Sequence, residues 1–236
     1  MGFDVRLAAL MTITFALAYL VGAIPSAYLI VRFATGSDIT EHGSGNVGAM
    51  NVRRSTGSWA WFVAAMFADA LKGALPVAVA KSLATGSVLL FATPTSSLLL
   101  VQGMRSAVLV TMSALAGAVV GHNYSVWMAL IKHQFKRTGK GLATGGGALL
   151  SYDWRYFVAV VLVGIVVIAL SRYMMAGQVA AALTLPISAL LLRSPDWPFA
   201  LVMGLFVYAA HHRRFVGLLK GEEPRLYVDD RMGPRG

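Results

Sequence analysis

An all-α integral membrane protein is predicted, with seven transmembrane helices, the N-terminus outside, the C-terminus cytoplasmic and glycine-rich cytoplasmic loops forming the site. Three observations lead there. Of 236 residues, 57% are hydrophobic and 13% charged, with a mean hydropathy of +0.68, which is not the composition of an ordinary globular domain. The apolar residues fall in runs long enough to cross a bilayer. The net charge of +10 gathers in a few loops between those runs, the pattern of membrane topology rather than of nucleic-acid binding.

The first run, at about 7–31, is too long for the apolar part of a signal peptide and reads as a retained helix kinked near its end by Pro25. Further runs cover about 59–80, 88–101, 107–131, 157–170, 174–192 and 199–210. Crossing a hydrocarbon core about 30 Å thick takes about 20 helical residues. The run at 88–101 is shorter and is interrupted by Pro94, so it is expected to be re-entrant or interfacial.

Three basic clusters set the orientation: Arg32, Arg53 and Arg54; Lys132, Lys136, Arg137 and Lys140; and Arg213, Arg214, Lys220, Arg225, Arg231 and Arg235. Placed together in the cytoplasm with Arg172, they account for fourteen of the twenty lysines and arginines. Arg6, Lys81, Arg105, Arg155 and Arg193 are left outside, and Lys72 within a span. Successive clusters must then be separated by an even number of crossings. The runs at 59–80 and 107–131 supply the first pair, and segment 141–150 must begin a helix to complete four crossings before the third cluster. With no internal repeat in view, one polytopic domain over 1–220 and a short cytoplasmic tail over 221–236 are expected.

A chain without cysteine has no disulfide, thiolate metal site or cysteine nucleophile. Its chemistry rests on hydroxyls, amides, imidazoles, charges and backbone N–H groups. The first cytoplasmic loop reads Gly43-Ser44-Gly45-Asn46-Val47-Gly48-Ala49-Met50-Asn51-Val52-Arg53-Arg54. It contains G-x-G-x-x-G with Asp69 further on, yet a dinucleotide fingerprint needs a strand before it, and membrane helices flank this one. What remains is a phosphate cradle: glycines let N–H groups converge on an anion, Ser44, Asn46 and Asn51 add neutral donors, and Arg53 and Arg54 add charge. A tight turn with ordinary cytoplasmic arginines is the alternative, but it has no use for three amide or hydroxyl side chains.

The second cytoplasmic region runs from Gly121-His122-Asn123 to Lys136-Arg137-Thr138-Gly139-Lys140-Gly141-Leu142-Ala143-Thr144. It sets a lysine between two glycines at an expected helix start, where free N–H groups and the helix dipole attract anions. The spacing is not that of a Walker loop. His122, near the end of an apolar helix, suits a base, a hydrogen-bond donor or a structural imidazole. Asp69 and Lys72 share one face of a membrane helix and either pair to hold the bundle or line the site. After the last span, His211-His212-Arg213-Arg214 leads to Glu222-Glu223. No ligand set has metal spacing, so no metal is expected.

Taken in order, the segment 43–54, Asp69-Ala70-Leu71-Lys72-Gly73, Gly121-His122, the run from Gly139 to Thr144, and His211 with Leu218-Leu219-Lys220-Gly221-Glu222-Glu223 resemble the signatures of the bacterial PlsY family over nearly the whole chain. S-G-N-x-G-A-x-N-x-x-R followed by D-x-x-K-G is the most specific of them. The resemblance implies a multi-pass acyltransferase of the bacterial inner membrane that moves an acyl chain from acyl phosphate to position 1 of glycerol 3-phosphate. Lysophosphatidate and phosphate are then the products, the first step of phospholipid synthesis. Ser44, Gly45, Asn46, Asn51 and Arg54 would hold one phosphate, and Gly139, Lys140, Gly141 and Thr144 the other phosphoryl group. Asp69, Lys72 and Arg214 would line the substrate site, and His122, His211, Lys140 and Glu223 are the candidates for catalytic roles. Membrane lipids surround such an enzyme; no cofactor, nucleic acid or obligate protein partner is implied.

Some positions depart from the family pattern. Met50 stands where threonine is usual, Arg137-Thr138 where a glycine precedes Gly139, Arg214 where asparagine is usual and Gly217 where arginine is. The competing readings are a divergent acyltransferase with another acyl donor or acceptor and a lipid or small-anion transporter. The transporter lacks an inverted repeat to support it, and the polar residues gather at one face. Acyltransferases with an H-x-x-x-x-D motif are excluded, because no histidine has an aspartate five positions later.

Overall fold

The computed structural model describes residues 5–85 and 102–222, apart from the side chains of residues 102–105, Ala210, Arg213 and Arg214. The expected re-entrant or interfacial segment 88–101 lies outside the described residues, as do Glu223 and the tail beyond it. Within them every regular element is helical: α1 Val5–Gly22, α2 Ser26–Thr35, a 3-10 turn Ile39–Glu41, α3 Ala49–Thr56, α4 Trp59–Thr85, α5 Gln102–Asn123, α6 Val126–Lys132, α7 Leu142–Tyr152, α8 Trp154–Ser171, α9 Met174–Leu191 and α10 Trp197–Leu219. Five stretches of the described residues are long and apolar enough to cross a membrane: Val5–Thr35, Trp59–Thr85, Ser106–Lys132, Trp154–Ser171 and Met174–Leu191. Trp197–Ala209 is a shorter apolar helix.

Pro25 does more than kink the first run. It has no N–H to continue the ladder, and the run divides into α1 and α2. The carbonyls freed at the break find donors on neighbouring helices: Ser125 Oγ donates to Ala23 O, Lys72 Nζ to Ile24 O (2.8 Å) and Trp127 Nε1 to Leu20 O (3.0 Å). Irregular backbone at membrane depth requires such partners.

Helix α7 starts where the charge parity asked for a helix. With 11 residues it is only about 16 Å long, so it covers about half of the hydrocarbon thickness rather than a full span.

The helices form two compact units, Met1–Phe157 and Val158–Gly236. In the first, glycines let backbones meet. A Cβ on Gly117 or Gly121 of α5 would stand 2.4 or 2.2 Å from the Phe15 or Tyr19 carbonyl oxygen of α1, and one on Gly73 of α4 would stand 1.9 Å from Thr144 O of α7. Gly147 makes the same approach to Ala70 O, at 2.0 Å. Small residues at helix contacts replace the hydrophobic drive that lipid removes. At its far end α7 is closed by buried Lys81, whose Nζ donates to the Ser151 and Tyr152 carbonyls at 3.3 and 3.0 Å. In the second unit α9 and α10 meet at Gly204, where a Cβ would stand 2.7 Å from Ala182 O. Leu162, Ile165 and Leu170 of α8 are exposed, an apolar surface suited to lipid.

Candidate active site

The first loop is wrapped around one amide. Asn51, in the first turn of α3, is 2% exposed. Its Nδ2 donates to the carbonyls of Ile39, His42 and Asn46, each at 3.0 Å, while Oδ1 accepts the Ser44 N–H at 3.2 Å. Gly43 and Gly45 take left-handed backbone, φ +56° and +68°, and a Cβ on Gly43 would stand 2.3 Å from Asn51 Oδ1. Ile39, Val47 and Val52 anchor the loop in an apolar cluster with Val31 and Met128. Asn51, expected to hold phosphate, therefore spends its hydrogen-bonding capacity on the loop itself.

That arrangement leaves other groups open. Ser44 and Arg54 are exposed, and neither side chain has a hydrogen bond or ion pair among the described residues. The Arg54 stem runs along Gly43, with its Cδ 3.2 Å from where a Cβ would be. Arg53 turns the other way: its guanidinium lies 4.7 Å from the Trp59 ring centroid, and Nη1 donates to Gly57 O at 3.0 Å. Asn46 is half-buried.

The second loop returns to cap α5. Thr138 donates its N–H to Asn123 O (2.8 Å) and its hydroxyl to His122 O (2.9 Å), and so satisfies carbonyls left over at the helix end. The two loops are joined directly, because the Val47 N–H donates to Thr138 O at 2.8 Å. An ion pair between Lys132 and Asp38 ties them a second time. Gly45, Val47, Lys132, Lys136, Arg137 and Thr138 line a shallow recess between them. Arg137 Nε donates to Gly139 O at 3.0 Å, and burial holds its guanidinium below its ordinary pKa. Half-buried Lys140 follows, and Gly141, at φ +74°, starts α7 with no side-chain cap. The first N–H groups of that helix have no acceptor within it.

Four polar residues lie under the second loop. Asp69 and Lys72 form an ion pair at 2.9 Å, 2% and 7% exposed. His122 Nδ1 is 3.1 Å from Thr144 Oγ1 and 3.9 Å from Asp69 Oδ1. Gly139 covers the other edge of the ring, where a Cβ would stand 2.2 Å from Nε2. Thr144, expected to touch substrate, is fully buried against the imidazole.

Ser44, Gly45, Asn46, Arg54, Gly139, Lys140 and Gly141 are thus brought to two adjoining loops, and Asp69, Lys72, His122 and Thr144 to the polar cluster below Gly139. His211 belongs to the second unit, buried, with Nδ1 donating to Val207 O at 2.8 Å. The Arg214 side chain and Glu223 lie outside the described residues. Sequence reasoning missed Ser125 and Thr138. Ser125 was legible as the N-cap of α6, where its hydroxyl accepts the Met128 N–H at 3.1 Å; Thr138 carries no local signal of its role.

A family model described as glycerol-3-phosphate acyltransferase matches residues 12–221. A glycerol-3-phosphate acyltransferase of Gluconobacter oxydans is 34% identical over 217 residues, which cover 90% of this chain and 91% of that one. One from Thermus thermophilus is 34% identical over 215 residues, 90% of this chain and 94% of that one. Among solved structures, the glycerol 3-phosphate form of PlsY, an integral membrane glycerol 3-phosphate acyltransferase, superposes with a TM-score of 0.73 at 26% identity, covering 92% of this chain and 96% of that one. Its lysophosphatidic acid form gives 0.70 at 25%, covering 91% and 94%. The chain belongs to the glycerol-3-phosphate acyltransferase family and is a membrane acyltransferase of the PlsY kind.

Proposed function

We propose that the chain transfers a fatty acyl group from acyl phosphate to the 1-hydroxyl of glycerol 3-phosphate, at the cytoplasmic face of a bacterial inner membrane. One observation carries this reading: two glycine loops, one with open Ser44 and Arg54 and the other leading into an uncapped helix start at Gly141, are held side by side by the Val47–Thr138 hydrogen bond. Both substrates carry a phosphoryl group, and a site with two anion cradles at the mouth of an apolar bundle fits them. Ser44, Asn46 and Arg54 hold one phosphate; Lys140 and the first N–H groups of α7 hold the other. Asn51 keeps the first cradle in shape.

In the reaction the acceptor hydroxyl attacks the acyl carbonyl, a new ester C–O bond forms, and the bond from carbonyl carbon to phosphate oxygen breaks. The hydroxyl proton passes to the departing phosphate, since His122 is enclosed between Thr144 and Gly139. Acyl phosphate brings its own good leaving group, so positioning and anion stabilisation supply the rate.

Seven crossing segments, α1, α4, α5, the short α7 where the bilayer thins around it, α8, α9 and α10, with the N-terminus outside and the C-terminus inside, put both loops in the cytoplasm. Five long apolar helices and the three basic clusters support that arrangement. Reporter fusions at the two ends test it: opposite sides are expected, and the same side would refute it. The donor is tested by offering the purified protein acyl phosphate or an acyl thioester with glycerol 3-phosphate. Acyl phosphate should be used and the thioester used poorly; a preference for the thioester would refute the reading.

A further inference from the structure

The buried cluster under the loops reaches both of them. Lys72 Nζ donates to Ile24 O at the α1–α2 break, 2.8 Å away, and pairs with Asp69 Oδ1 at 2.9 Å. Asp69 Oδ1 stands 3.9 Å from His122 Nδ1, and the same nitrogen bonds Thr144 Oγ1 at 3.1 Å. Ile24 leads through α2 into the first loop, Thr144 lies in the first turn of α7, and Gly139 of the second loop rests on the imidazole. A pair that served only to hold helices together would need no third contact. Here each charge faces a different loop, Lys72 through Ile24 and Asp69 through His122.

We propose that Asp69, Lys72, His122 and Thr144 are positioning residues that fix the two phosphate loops relative to each other, acting through the α1–α2 break and Gly139 instead of touching substrate. The proposal rests on the reading of those loops as phosphate cradles. Its physical basis is that the acceptor hydroxyl must sit about 3–3.5 Å from the acyl carbonyl, and a misplacement of about 1 Å can cost about a hundredfold in rate. With 2% and 7% exposure, Asp69 and Lys72 are too enclosed to meet a phosphate themselves.

The test uses the full-length protein in detergent. Thr144→Val removes the hydroxyl that bonds His122 while keeping charge and shape. The double variant Asp69→Asn, Lys72→Met removes both charges together, so that no lone charge is left buried. Each is compared with the unaltered protein by kinetics with acyl phosphate and glycerol 3-phosphate and by amide hydrogen exchange in segments 36–48 and 138–144. Both variants should lower kcat/KM for both substrates about tenfold or more, with Thr144→Ser returning to within about threefold of the unaltered enzyme. Exchange should rise in both segments. Unchanged exchange in 138–144 in both variants overturns the proposal whatever the rates, as does a Thr144→Ser variant as slow as Thr144→Val. If the double variant does not fold, the Thr144 pair decides alone. Exchange needs no turnover, so an unaltered protein that transfers no acyl group defeats the functional reading while the exchange pattern still decides this one.

Discussion

Gly139 lies against the imidazole of His122 so closely that a Cβ would stand 2.2 Å from Nε2 and 2.6 Å from Cδ2. The glycine before Lys140 is thus required by the ring beneath it rather than by a left-handed backbone.

Gly139→Ala should therefore destabilise the protein by about 1–3 kcal/mol, the usual cost of overpacking, and lower kcat/KM at least about tenfold by lifting Lys140 out of place. Gly36 offers a contrast. Unlike Gly139 it has a left-handed φ, +71°, and nothing within 4 Å of a Cβ, so Gly36→Ala meets only backbone strain of about 1–2 kcal/mol and should keep its kcat/KM. Thermal unfolding and steady-state kinetics on both variants check the difference.

Asn51 and Ser44 should separate in the same two measurements. Removing the Asn51 amide orphans several buried backbone groups, and Asn51→Ala should cost about 1–3 kcal/mol or more in stability along with activity. Ser44→Ala, at an exposed hydroxyl without a partner among the described residues, should raise KM and leave the unfolding temperature unchanged. If Asn51→Ala changes KM alone, the amide is a substrate ligand after all.

The ion pair of Asp38 with Lys132 gives a pH dependence. Burial raises the Asp38 pKa, but hydrogen bonds from Lys132 and Thr40 outweigh it, and the net value lies below the ordinary carboxylate range. For a depressed acid, stabilisation is complete above the unfolded pKa of about 3.9. It fades as the pH falls through the lower, folded value. Lys132→Ala should lower the unfolding temperature slightly at neutral pH, and the gap to the unaltered protein should close only below about pH 4. A gap that closes at pH 6 would contradict the pairing.

Composition and basic clusters disclosed the membrane class, and the motif segments pointed to the two loops of the proposed site, because those signals are local. The start of α7 was legible from charge parity. Its short length was not, since the contacts that close its last turn come from Lys81, on a helix far away in the chain. For Asn51 the sequence gives the residue type but not its orientation: the same amide that suits a phosphate also suits three carbonyls, and only the fold brings Ile39, His42 and Asn46 around it. Likewise Asp69 and Lys72 share a helix face in any reading, while their contacts to Ile24 and His122 depend on helices far apart in the chain.

Two neighbouring arginines and one lysine provide the most direct test of the two-cradle site. Steady-state rates of phosphate release from acyl phosphate and glycerol 3-phosphate should be measured for Arg54→Ala, Lys140→Ala and Arg53→Ala in purified protein. A charge-assisted phosphate contact is worth about 1.5–3 kcal/mol, so Arg54→Ala and Lys140→Ala should each lose about 10- to 100-fold in kcat/KM. Arg53, committed to Trp59 and Gly57, should tolerate alanine within about threefold, as expected of a group outside the transition-state contacts. An Arg53→Ala loss as large as the other two would mean that basic charge acts diffusely at the membrane surface, and would contradict the two-cradle site.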